Sequence, residues 1–109
     1  MNVSRSPWFR KDVEQLCEYF LREAGERVSR NFLEAVLITL EHLASFPECG
    51  FAREFEHPDL QALRFIPLSR PCDRYLVFYR VHPGEVIVER LMHGYRDLPR
   101  RLLDPPGAE

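Results

Sequence analysis

The sequence predicts an α+β fold: a small antiparallel β-sheet packed against an N-terminal α-helical hairpin, in the order β-α-α-β-β-β. Three observations predict it. Apolar residues recur at three- and four-residue spacing through the first half of the chain. Beyond a connector broken by prolines, the period changes to short runs of β-branched and aromatic residues. The length, 109 residues, suits one domain.

Taken in order, residues 2–5, NVSR, read as a short first strand. Ser6-Pro7 then reads as a helix N-cap followed by proline at the first helical position, where its missing N–H costs nothing. Phe9, Val13, Leu16, Cys17, Phe20 and Leu21 form one apolar stripe on a helix of about residues 7–24, and Gly25 is its stop. Val28, Phe32, Ala35, Val36, Thr39, Leu40 and Leu43 mark a second helix of about residues 26–46, ended before Pro47. So short a link implies an antiparallel helical hairpin. Residues 47–61, PECGFAREFEHPDLQ, form the connector. ALRFIPL, YLVFYRV and EVIVERLMH follow as strands, the middle one apolar on both faces as a central strand should be. HPGE joins the last two as a hairpin. A simple register sets His82 opposite Glu85, Val81 opposite Val86, Phe78 opposite Glu89 and Arg74 opposite His93. The tail LLDPPGAE, with two adjacent prolines, is expected to fray, the domain proper covering residues 1–103 and a flexible tail residues 104–109. The hairpin covers one sheet face. No predicted element covers the other, which makes it a candidate binding surface.

Composition narrows the function classes. Hydrophobic residues make up 45% of the chain and charged residues 29%, enough for one core with a wet surface. No apolar run approaches ~18 residues, so no membrane partner is expected. The start, MNVSRSPWFRKD, lacks an apolar signal core. Cys17, Cys49 and Cys72 are odd in number and lack CxxC spacing, so a reduced, cytoplasmic protein is expected. Residues 1–60 carry seven basic and eleven acidic side chains; residues 61–109 carry eight and six. Fourteen of the fifteen basic residues are arginine, which suits planar contacts to carboxylate or phosphate but is also a common genomic bias.

The familiar catalytic signatures are absent: no G-x-S-x-G, H-E-x-x-H, phosphate loop or dinucleotide fingerprint. Histidines 42, 57, 82 and 93 lack ligand-like spacing, so neither metal nor cofactor is expected. Glu54 and Glu56 lie in the connector, where solvated carboxylates are the simpler reading than a general base. Arg64, Arg74, Arg80, Arg90 and Arg96 lie on or beside strands. Arg80 is diagonal to Glu89 and reads as a cross-strand ion pair, whereas Arg64 or Arg90 could face the open side. His93-Gly94-Tyr95-Arg96-Asp97 ends the last strand. Gly94 permits a turn, Asp97 caps or pairs locally, and His93, Tyr95 and Arg96 are left to face outward.

Five pieces, SPWFRKDVEQLCEYF, LASFPECG, LRFIPL, YLVFYRV and above all VIVERLMHGYRDLP, follow one another between about residues 4 and 99. In that order they resemble the RelE/ParE family of toxins from bacterial type II toxin–antitoxin systems. The resemblance implies the compact sheet and hairpin, and a cognate antitoxin that masks the functional surface in a hetero-oligomer. RelE-like members cut mRNA on the ribosome; ParE-like members poison DNA gyrase. In RelE-like nucleases the strand matching LRFIPL carries basic residues at alternate positions, here Arg64 and Ile66. The strand matching YLVFY carries an arginine where this chain has Leu76, and Arg96 can match a further arginine after the last strand. Related nucleases use a histidine, a C-terminal tyrosine and a glutamate. His93 and Glu54 can match part of that, but the sequence ends in Pro-Pro-Gly-Ala-Glu. Metal-free RNA cleavage needs groups that activate the 2′-hydroxyl, stabilise phosphorane charge and protonate the leaving oxygen. Isoleucine and leucine do none of this, so the resemblance favours the ParE-like branch. The expected target- or antitoxin-binding residues are Arg64, Arg90, His93, Tyr95 and Arg96, and a nuclease would draw on Arg64, His93 and Arg96. The expected partners are a cognate antitoxin and DNA gyrase, with ribosome and mRNA as the alternative. A third reading is a non-toxic antitoxin-binding module.

Overall fold

A computed structural model describes residues 1–52, 54–94 and 98–107. A helical hairpin lies on a five-stranded sheet. The first strand, β1, is Asn2–Arg5; the hairpin is α1, Pro7–Ala24, and α2, Glu26–Ser45. There follow β2, Phe51–Ala52, a 3-10 turn at Pro58–Leu60, β3, Arg64–Pro67, β4, Tyr75–His82, β5, Glu85–His93, and a short helix α3, Leu98–Leu103. The spatial order is β1-β5-β4-β3-β2.

The hairpin forms as its stripes require. Ser6 caps α1, its hydroxyl oxygen accepting from the Phe9 N–H at 3.0 Å while the hydroxyl donates to the Glu89 carbonyl at 2.8 Å. Gly25 alone separates the helices, at φ +94°, a value that L side chains adopt only with strain. The Ser29 hydroxyl donates to the Cys17 carbonyl at 2.7 Å across the bend. Phe9 from α1, and Phe32, Val36, Leu40 and Leu43 from α2, bury against Val77, Tyr79, Val86, Val88 and Leu91 of the sheet.

β3, β4 and β5 are antiparallel, as expected, and β2, which falls in the expected connector, adds a further antiparallel strand beside β3. β1 runs parallel to β5, Asn2 opposite Glu85 through Arg5 opposite Val88, which makes the sheet mixed. Beyond Val88, side chains take over from β1 in satisfying the edge of β5. Ser6 Oγ donates to the Glu89 carbonyl, and Asp12 Oδ2 accepts from the Leu91 N–H at 2.9 Å.

Three expectations are corrected. The β4–β5 register holds from His82–Glu85 to Tyr79–Val88 and then slips: Phe78 lies opposite Arg90, not Glu89, and His93 lies opposite Tyr75, not Arg74. Glu89 is the extra residue of a β-bulge, which reverses the alternation, so that Leu91 joins Val86 and Val88 against the hairpin. A count at period two cannot anticipate an inserted residue. Second, the far sheet face is covered. Phe55, Leu60 and Leu63 from the connector and Leu98 and Leu102 from α3 pack with Leu76, Phe78 and Met92. Third, Leu102, the first residue of the expected tail, is buried in that second cluster. The connector and α3 are too short to display a period, so their burial left little trace in the sequence.

Candidate functional site

Four of the strand arginines are described, and three of them serve the fold. Arg64 lies opposite Tyr79, so it shares the hairpin-side face. Its Nη1 donates to the carbonyls of Glu48 and Gly50 at 3.3 and 3.1 Å. Arg80 makes the anticipated ion pair, its Nη1 reaching both Glu89 carboxylate oxygens at 2.7 and 2.5 Å, and it donates further to the carbonyls of Gln61 and Asp59.

Arg90 does not face outward, contrary to expectation. It is 6% exposed. Its Nε and Nη2 meet Asp12 at 2.8 and 3.1 Å, its Nη1 donates to the carbonyls of Arg101, Leu102 and Asp104, and its guanidinium lies 5.2 Å from the Trp8 ring centre. A buried guanidinium needs this full set of partners, because desolvating an unpaired one costs several kcal/mol. Asp12 went unnoticed in the sequence. The available signal was its place inside an apolar stripe, three residues after Phe9 and four before Leu16.

The surface that remains lies where β5 ends. His93 is exposed, on the hairpin-side face opposite Tyr75, with ring centres 5.0 Å apart at 68°. Tyr75 also meets Phe20 and Phe32 edge to face. Gly94, at φ +78°, turns the chain away, as its sequence context suggests. Tyr95, Arg96 and Asp97 lie outside the described residues. Two cavities flank the Tyr75–His93 wall. One, of about 590 Å³, is lined by Gln15, Tyr19, Arg101 and the paired Asp12 and Arg90; the other, of about 420 Å³, by Phe20, Val28, Phe32, Pro71, Cys72 and Arg74. Tyr19, Phe20, Arg74, Tyr75 and Arg101 were not among the expected site residues. They come together only through the hairpin, the β3–β4 turn and α3.

Burial pushes the Cys72 thiol up, with Asp73 adding to the effect. Burial likewise raises the Tyr75 phenol, with Tyr19 adding. Neither group is an activated nucleophile or base. Ile66 is packed against the hairpin-side core and Leu76 is 1% exposed in the second cluster. Arg64 and His93 are set apart by four residues of β4 and two strand spacings, about 16 Å. Among the described residues, no three His, Cys, Asp or Glu side chains are grouped to hold a metal ion. Nor is any described helix long and apolar enough to cross a membrane.

The family model described as "ParE toxin of type II toxin-antitoxin system, parDE" matches residues 3–98. The chain belongs to the ParE toxin family. It is thus the toxin type of a type II toxin–antitoxin module. Among solved structures, a chain of the "Chromosomal ParDE TA system from P. aeruginosa" is similar at TM-score 0.70 and 16% identity, over 87% of this chain and 97% of that one. At that identity the likeness speaks for the shared ParE-type fold. The comparison with curated proteins gives no match.

Proposed function

We propose that this ParE-family toxin acts by holding a protein target, DNA gyrase, rather than by cutting RNA, and that a cognate antitoxin neutralises it in a cytoplasmic hetero-oligomer. The observation that carries the reading is the fate of the positions a nuclease would need. Leu76 is a core residue, Ile66 is half-buried against the core, and Arg64 is tied to two backbone carbonyls far from His93. General acid–base cleavage demands groups within hydrogen-bond reach of one phosphate, and two backbone positions ~16 Å apart on the sheet, one of them with its guanidinium tied to local carbonyls, do not favour it. The family membership, and the similar structure's being part of a ParDE toxin–antitoxin system, support the antitoxin.

The test adds purified protein to a gyrase supercoiling assay and, separately, to a translating ribosome extract. Supercoiling should be inhibited or cleaved DNA trapped, with mRNA intact. Discrete codon-dependent cuts in the mRNA, with gyrase unaffected, would overturn the reading in favour of a ribosome-dependent nuclease. No effect in either assay, and no growth defect on induction, would leave an antitoxin-binding module without toxicity.

A further inference from the structure

The twin cavities around Tyr75 and His93 differ in chemistry on their two sides. The ~420 Å³ side is walled by Phe20, Phe32, Pro71 and Tyr75, with Val28 at its open edge. The ~590 Å³ side is wetter and holds Arg101. Among the charged groups of the described lining, cations outnumber anions. Arg74 is exposed, lines the apolar cavity and has no carboxylate partner among the described residues. Arg101 gives one donor to the His93 carbonyl at 2.8 Å and keeps others, since a guanidinium carries five. The one carboxylate among the described lining residues, Asp12, is already paired with Arg90. An apolar hole rimmed by cations accepts a large apolar side chain flanked by carboxylates. A nucleotide fits less well. The Tyr75 ring already meets Phe20, Phe32 and His93 edge to face, so it offers a base no open stacking platform.

We propose that this double cleft is the docking site for an acidic segment of the antitoxin, which places one large aliphatic or aromatic side chain among Phe20, Phe32 and Tyr75 and sets carboxylates against Arg74 and Arg101. The proposal rests on the antitoxin reading above and adds where the antitoxin is held and by what chemistry. Salt should weaken the complex, because the charged half of the contact lies at an exposed rim.

The experiment uses the full chain and the protein encoded by the adjoining reading frame, with affinity measured by titration calorimetry. Val28→Trp closes the apolar cavity from its rim, and Arg74→Glu reverses the free charge; both positions are exposed, and melting curves verify folding. Each should weaken the complex by about tenfold or more, as losing a hot-spot contact does. Leu37→Glu, on the outer hairpin surface, should change it by less than about twofold. A complex that tolerates both cleft variants but fails with Leu37→Glu overturns the docking site and leaves the antitoxin reading standing. No complex with the unaltered chain overturns both. Binding of a short labelled oligothymidylate that Val28→Trp abolishes overturns the peptide in favour of nucleic acid.

Discussion

One face of the sheet rests on two helices of 18 and 20 residues; the other rests on a three-residue turn and a six-residue helix. Long helices bring their own backbone order to the core. A six-residue helix cannot, because isolated helices below about 12 residues are marginal in water. α3 therefore depends on its surroundings: Leu98 and Leu102 bury their side chains, and Arg90 Nη1 donates to three carbonyls near its end, those of Arg101, Leu102 and Asp104. Asp12 on α1 holds that arginine in place. The second layer is thus fastened to the first through one buried ion pair, and that asymmetry can be broken experimentally.

Asp12→Ala should have the largest effect. It leaves the Arg90 guanidinium buried without its counter-charge and the Leu91 N–H without an acceptor. The expected loss is about 3–5 kcal/mol, read from urea unfolding. Amide exchange should quicken first in α3, before α2 is affected. Equal acceleration in both helices would mean that the two layers open as one unit and that the contrast drawn here is wrong.

Leucine truncation compares the layers directly. Leu43 is wholly buried under the hairpin, where rigid neighbours cannot close a cavity. Leu102 is 5% exposed at the edge of the second cluster, where a short helix can settle into the gap. Leu43→Ala should cost about 4 kcal/mol and Leu102→Ala about 2 kcal/mol, one in the upper part and one at the lower end of the usual range for buried leucine. Equal losses would show the second layer to be as tightly packed as the first.

The same contrast explains what could be read from the residues alone. The stripes of α1 and α2 span several turns, so their boundaries and most of their buried faces were legible; Phe32, Ala35, Val36, Thr39, Leu40 and Leu43 are buried as expected, whereas Leu21 and Val28, beside the bend, are exposed. β4 and β5 announced themselves through dense β-branched and aromatic residues. Phe55, Leu60, Leu63, Leu98 and Leu102 carry no period, and their burial depends on contacts distant in sequence. The bulge at Glu89 inserts one residue into an otherwise regular alternation, and Arg90 turns from a surface candidate into a clamp. At the candidate site, His93 was legible because a strand visibly ends there. Arg74, Tyr75 and Arg101 were not, because three separate elements bring them to it.

The smallest expected effect concerns the ion pair that was legible, Arg80–Glu89. Its side chains are 23% and 29% exposed, against 7% and 8% for Arg90 and Asp12. Water still reaches the Arg80–Glu89 pair, so most of the Coulomb attraction is offset by hydration and screened by salt. A double-mutant cycle of Arg80→Ala and Glu89→Ala should give a coupling of about 0.5–1 kcal/mol, shrinking in high salt. Arg80→Ala alone should cost somewhat more than the coupling, because it also releases the Gln61 and Asp59 carbonyls and loosens the turn over the second cluster. A salt-insensitive coupling above about 2 kcal/mol would place this pair in the same class as Asp12–Arg90. The second layer would then have two strong fastenings, and Asp12→Ala should free α3 far less than its single clamp implies.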